Sequence, residues 1–234
     1  PAAATSLAFV ALSDSGEREF SFMRDPGADT LLRPNELNQQ LLRNTKVFHV
    51  GSVSLTAEPS RSSTWQALIT AKSTGAAVSY DPNYRASLWA DDAAACDQIR
   101  SILPIVDIIK LSQEEMPFAA GIDDVDTAIK VLRKEGVALI VITLGEGGAV
   151  VATGDQQRSV PAFPCDAVDT TGAGDGFIGS FLWQLERDGV TRNKLEKLSR
   201  ARLCEYLAFS NQFCGISVQQ HGAIDSYPTL DQMQ

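Results

Sequence analysis

Residues 167–182 read AVDTTGAGDGFIGSFL, and the fold turns on how this stretch is understood. Gly172 and Gly174 flank Ala173, and Asp175 follows at once. From there Phe177, Ile178, Phe181, Leu182 and Leu185 recur at helical spacing. A helix with a buried face therefore starts in a glycine-rich turn beside a carboxylate. Glycine lets a backbone approach a ligand closely, and the N–H groups at a helix start make an anion site. An acid there is poor design for passive phosphate binding. It makes sense if the acid takes a proton from a hydroxyl while the N–H groups absorb charge building on a transferring phosphoryl group. The alternative is purely structural: Thr170 or Thr171 caps the helix, and Asp175 complements its dipole.

Outward from this turn, short apolar runs alternate with amphipathic stretches. Strands are expected at 46–50, 76–80, 106–111 and 138–143, with helices over 58–73, 89–102 and 124–135 between them. The alternation predicts βαβ units and an α/β fold with a mostly parallel sheet covered on both faces. Two more strands are expected at 148–153 and 158–162, and helices near 174–187 and 193–214. At the other end, a helix is expected over 34–44, preceded by a hairpin of 6–12 and 18–23 around a turn at 13–17. No linker or repeat divides the chain, which reads as one domain.

Ligands of open parallel sheets sit at the carboxyl ends of the strands. Four segments in such positions carry polar chemistry: DPNYR (81–85), SQEE (112–115), TLGEGG (143–148) and DTTGAGD (169–175). The first is also strong turn chemistry, the second an ordinary acidic helix start, and the third a plausible hairpin turn. No G-x-x-x-x-G-K-[ST] loop is present, and GEGGAV lacks the third glycine of a dinucleotide fingerprint.

Composition narrows the function classes. A net charge of −9, from 29 acidic and 20 basic residues, argues against nucleic acid or an anionic membrane as partner. No run approaches the length of a membrane span, and no signal peptide is visible. The four cysteines (Cys96, Cys165, Cys204, Cys214) are far apart and suggest reduced, mostly buried thiols in a cytoplasmic protein. With only His49 and His221 as histidines, acid–base work falls to carboxylates.

The segment DTTGAGDGFIGSFL resembles the carboxyl-terminal signature of the ribokinase-like (PfkB) carbohydrate kinases. FHVGSVSL (48–55), YDPNYRASLW (80–89), IIKLSQEEM (108–116), VITLGEGGAVV (141–151) and HGAIDSYPT (221–229) agree with it in the family's order. FSFMRDPGADTLL (20–32) followed by GSVSL is most similar to bacterial fructokinases. The resemblance implies a three-layer αβα sandwich that uses ATP and Mg2+ to phosphorylate a primary hydroxyl of a small sugar, fructose before others. It also implies roles for single residues. Asp175 matches the catalytic base, and the backbone of Gly172, Ala173 and Gly174 the anion hole. Thr143, Gly145 and Gly148 match a nucleotide loop, where a valine at either glycine is expected to hinder ATP. Asn211 falls where the family lines the adenine pocket, and Asn83 and Arg85 fall at the substrate. Glu115 matches an acid that orders Mg2+ through water, although Ser112 replaces the asparagine of that motif. Asp169 and Thr171, with the loop 217–226, match a site for a monovalent cation such as K+, although VQQHG (218–222) departs from the family's Thr-Arg-Lys-Gly. Arg85 suits a sugar hydroxyl or a carboxylate equally, so 2-keto-3-deoxygluconate kinase stays open. So does a non-catalytic binding protein derived from a kinase, and so does a homodimer.

The chain starts at Pro1, after the family's amino-terminal part. That part supplies the first strand, much of the lid, a Gly-Gly signature and an aspartate that grips the sugar. Residues 1–234 are thus expected to form an amino-terminally incomplete kinase domain with open sheet edges and uncovered apolar surface. Expressed by itself, this span is expected to be poorly soluble or partly molten and to release no ADP with fructose. Sharp thermal unfolding together with fructose turnover would contradict that expectation.

Overall fold

The structure is a computed structural model that describes residues 3–12 and 18–233. β1 (Leu7–Leu12) and β2 (Arg18–Met23) form an antiparallel hairpin, with Leu7 opposite Met23 and Leu12 opposite Arg18. The turn expected at 13–17 lies outside the described residues. The hairpin is a sheet of its own, tied to the rest of the molecule through Arg24. That guanidinium bonds Asp29 Oδ2, Thr56 Oγ1 (2.8 Å) and the carbonyl of Val53 (3.1 Å).

After α1 (Gln39–Asn44) the chain alternates strand and helix. β3 (Val47–Gly51), α2 (Ser60–Ser73), β4 (Ala77–Asp81), α3 (Asp92–Ser101) and β5 (Ile108–Ser112) lead to a short α4 (Met116–Ala120) and α5 (Val125–Lys134). β6 (Leu139–Thr143), β7 (Ala149–Thr153) and β8 (Gln156–Val160) complete a six-stranded sheet in sequence order, β3-β4-β5-β6-β7-β8. β3 to β6 pair in parallel, and β7 pairs antiparallel with both β6 and β8. Helices α6 (Ala173–Arg187) and α7 (Arg200–Ser217) follow.

The nearly continuous apolar runs are explained by burial on both faces. Alternate residues of β5 and β6 point to opposite layers. Ile109, Leu111, Ile140 and Ile142 pack with Leu68, Ile99, Ile129 and Leu132 of α2, α3 and α5. Ile108, Leu139 and Val141 pack with Phe177, Phe181, Leu185, Leu203 and Leu207 of α6 and α7. The molecule is thus three layers deep, with β3 and β8 at the sheet's two margins among the described residues. No helix among them is long and apolar enough to cross a membrane.

Two expected helices are interrupted. Over 34–44 the chain makes a 3-10 turn (Pro34–Glu36), leaves helical geometry at Leu37, and restarts at α1, because the Asn38 side chain accepts from Leu41 N–H and caps a new helix. Over 193–214 a 3-10 helix (Arg192–Lys197) ends at Leu198, whose side chain is buried, and Ser199 caps α7 by accepting from Arg202 N–H. α4 was not anticipated. The cysteines are unpaired as expected, but Cys165 is exposed and the other three only half-buried.

α6 and α7 share a polar seam inside their apolar contact. Ser180 Oγ donates to the Phe177 carbonyl and lies 3.0 Å from Ser210 Oγ, while Gln184 Nε2 donates to the Tyr206 carbonyl at 3.1 Å. Ser180, Gln184 and Ser210 are all buried.

Gly148 joins the loop after β6 to β7 at φ +89°, and a Cβ there would stand 2.1 Å from the Val160 carbonyl oxygen on β8. Gly145, in the same loop at φ +55°, faces open space. Gly148→Val is therefore expected to cost about 2 kcal/mol or more through overlap and backbone strain. Gly145→Val meets strain alone and costs less. Urea unfolding of the two variants checks the order; equal losses would contradict it.

Candidate active site

Parallel pairing aligns the carboxyl ends of β4, β5 and β6, and α6 begins against them. Asn38, Asp91, Asp124 and Ser199 cap α1, α3, α5 and α7 with side chains; α6 starts at Gly172 without a side-chain cap, as α2 and α4 do at Pro59 and Glu115. Neither Thr170 nor Thr171 takes that role, so the capping part of the structural alternative falls, while Asp175 does lie in the first turn, where it complements the dipole. Gly172 sits at φ +76°, and a Cβ there would lie 2.7 Å from Ala223 Cβ and 2.9 Å from Tyr227 Oη. Only glycine fits. Its carbonyl accepts from Tyr227 Oη at 2.8 Å, and Ala173 N–H bonds the Thr170 carbonyl at 3.1 Å, closing the turn.

Asp175 stands exposed in the first turn of α6. Asn83 Nδ2 donates to its Oδ1 at 3.3 Å, so the structure brings the loop after β4 to the start of α6. Asn83 is the one described non-glycine residue with positive φ (+47°), and its N–H bonds Asp81 Oδ1 at 3.2 Å. Asparagine tolerates this region better than most residues because its short side chain bonds locally. Arg85 Nη1 donates to the Tyr84 carbonyl at 2.9 Å.

Glu115 is buried and clamps two loops. Its Oε1 accepts from Tyr84 N–H and its Oε2 from Ser112 N–H, both at 2.8 Å. Ser112 and Glu115 form a capping box in place of the asparagine motif. A carboxylate fixed this way is a stationary negative charge, which suits ordering a hydrated cation better than wrapping a bare one.

Sequence reasoning missed Lys110 and gave Asp81 no role. Both are buried, and Lys110 Nζ donates to Asp81 Oδ2 at 3.0 Å. Burial opposes both charges. Burial pushes Asp81 up to about 6, helped by the Glu115 and Asp175 carboxylates and resisted by Lys110. For Lys110 burial acts downward, but Asp81, Glu115 and Asp175 outweigh it and its pKa rises. Removing one partner of such a pair typically costs about 3–5 kcal/mol. The signal was in the sequence: a lysine in the middle of the apolar strand run VDIIKL demands a buried partner.

Two of the proposed nucleotide residues, Asn211 and Gly148, meet one piece of backbone. Asn211 Nδ2 donates to the carbonyls of Val160 (3.2 Å) and Pro161 (2.8 Å), the segment against which Gly148 packs. Thr143 Oγ1 donates to the Leu111 carbonyl at 3.3 Å. Gly148 is thus required by the fold itself, so a valine there does not test nucleotide contact. Gly145 remains free to do so.

Asp169 binds two loops together, accepting from Thr171 N–H at 2.9 Å and from Gly222 N–H at 3.0 Å. Among the described residues no three His, Cys, Asp or Glu side chains group to hold a metal ion. A cation near Asp169 would therefore rely on backbone carbonyls.

Residues 1–230 match the family model for pfkB family carbohydrate kinases. The chain is 46% identical over 234 residues to "Probable fructokinase-4" of Arabidopsis thaliana, covering 99% of this chain and 70% of that protein. It superposes on a Xylella fastidiosa fructokinase with bound ATP at TM-score 0.90 and 29% identity, over 99% of this chain and 72% of the other. A Vibrio cholerae fructokinase bound to fructose, ADP and calcium gives 0.87 and 31%, over 100% and 73%. In fold and in sequence, this chain belongs to the pfkB family of carbohydrate kinases, with their ribokinase-like α/β architecture.

Proposed function

We propose that this chain carries the catalytic centre of an ATP-dependent fructokinase that converts fructose to fructose 6-phosphate. One observation carries the reading: Asp175 stands beside an uncapped glycine helix start and is held by Asn83. Asp175 takes the proton of the sugar's primary hydroxyl as its oxygen bonds the γ-phosphorus, and the bond from that phosphorus to the bridging oxygen breaks to release ADP. The backbone of Gly172, Ala173 and Gly174 receives the charge that develops on the phosphoryl oxygens. Catalysis is then mostly positioning and charge stabilisation.

The relatives named fructokinase and the likeness to a fructose-bound structure support fructose as the sugar. Asn83 and Arg85, on the loop facing α6, are the proposed sugar contacts. Gly145 with Thr143, and the segment held by Asn211, are the proposed nucleotide side. Mg2+ would be ordered through water by Glu115 and, when bound, neutralises phosphate charge. Asp169, Thr171 and the carbonyls of 217–226 are the proposed place for K+, in line with a related fructokinase crystallised with a potassium ion. The four unpaired thiols support a reducing compartment, the cytoplasm.

In the full-length protein, Asp175→Asn is expected to lower kcat by about 100-fold to 10,000-fold while ATP binding survives, because an amide cannot take the proton. More than a tenth of the parent kcat, a barrier change of about 1.4 kcal/mol or less, would overturn the assignment. Assayed by ADP release, fructose is expected to outrun ribose, adenosine and 2-keto-3-deoxygluconate. A preference for the keto-acid would move the reading to that kinase and point to Arg85 as the carboxylate partner. Nucleotide and sugar binding without ADP release would favour the non-catalytic reading.

A further inference from the structure

Asp81 divides its carboxylate between two neighbours. Oδ2 accepts from Lys110 Nζ at 3.0 Å, and Oδ1 accepts from Asn83 N–H at 3.2 Å. Each neighbour then meets the turn 172–175 from its own side. The Asn83 amide donates to Asp175 Oδ1 at 3.3 Å, and Lys110 Nζ lies 3.0 Å from where a Cβ on Gly174 would stand. We propose that Asp81 and Lys110 are positioning residues, a buried brace that holds the loop 81–85 and the turn 172–175 at a fixed separation. The proposal rests on the kinase reading of Asp175 above.

Stability does not explain the pair. Its side chains are only 6% and 4% exposed, and such an ion pair can often be replaced by apolar residues without loss of stability. Its surroundings favour that replacement. Ile108 and Val141 on the same face of the sheet are apolar, and so are Ile109 and Leu111 beside Lys110 in β5. Within β5 Lys110 is the one charged side chain.

The pair also accounts for two local oddities. Asn83 is held in the left-handed region, which disfavours side chains, by its bond to Asp81. Gly174 lacks a side chain where Lys110 comes near, and a Cβ there would crowd the ammonium. An error of about 1 Å in such a site can cost 100-fold in rate. That is the scale on which a brace would act.

The test uses the full-length protein. Lys110→Met keeps the apolar stem and removes the charge; Asp81→Asn keeps an acceptor for Asn83 N–H and removes the ion pair. Each is expected to lower kcat with fructose about 10-fold to 100-fold while the KM for ATP stays within about threefold. The double variant is expected to be no worse than the poorer single one, as for residues acting as a unit. Amide hydrogen exchange over 172–175 is expected to speed up in both single variants, a readout that needs no turnover and separates failure of the brace from failure of the kinase reading. If Lys110→Met does not fold, Asp81→Asn is read by the same measures. A kcat within twofold of the parent with unchanged exchange would overturn the proposal. So would a raised ATP KM at unchanged kcat, which would make Lys110 a nucleotide contact instead.

Discussion

Parallel pairing of β3 to β6 is the constraint from which the rest follows. Strands that run the same way finish along the same rim, so every connection that leaves that rim starts from one line. The loops beginning at Asp81, Ser112 and Thr143 are neighbours for that reason, although stretches of intervening chain separate them. α6 begins at this rim and covers one face of the sheet because its apolar side needs Ile108, Leu139 and Val141 beneath it. Packing of the core thereby delivers Asp175 to the loops, and the chemistry takes its place from the hydrophobic layer.

The side chains at the rim hold loops together as much as they present groups. Glu115 joins the loop after β4 to the one after β5, and Asp169 joins the approach to α6 to the loop at Gly222. Asn211 fixes the segment after β8. Carboxylates and amides accept or donate at two points, so each can tie two backbone groups. The site is therefore laced through its main chain, and the groups facing ligand are few.

Much of this was legible in the sequence, and the gaps have physical causes. The apolar runs marked β4 to β7 because burial on both faces writes a continuous signal, whereas β8 alternates half-buried and exposed residues and its expected span, 158–162, starts two residues late. The interrupted helices escaped, since Asn38 and Ser199 restart helices inside otherwise helical patterns, and a cap in the middle of a pattern looks like any polar residue. The glycine turn was readable from its composition, but the absence of a cap at Gly172 was not, because Thr170 and Thr171 offer plausible hydroxyls nearby. The meeting of Asn83 with Asp175 joins residues far apart in the chain, and only the folded sheet places them together. Lys110 was visible too, as the one charge inside an otherwise apolar β5, but the strand signal around it says nothing of which residue pairs with it.

The serine and glutamine seam between α6 and α7 bears on how the reacting carboxylate is set in height. An interface of leucines alone tolerates a slide along the helix axis, since one methyl group is much like the next. Here a slide of one helical turn, about 5.4 Å, would take the Gln184 amide from the Tyr206 carbonyl and part Ser180 from Ser210. Their bonds to the Ser180 and Phe177 carbonyls within α6 survive the slide, so the loss is of the bonds across the helix pair, each about 0.5–1.5 kcal/mol. The helix pair accordingly has one notch rather than a continuum. Asp175, about two and a half turns above Gln184 on the same rod, inherits that notch as its altitude over the sheet.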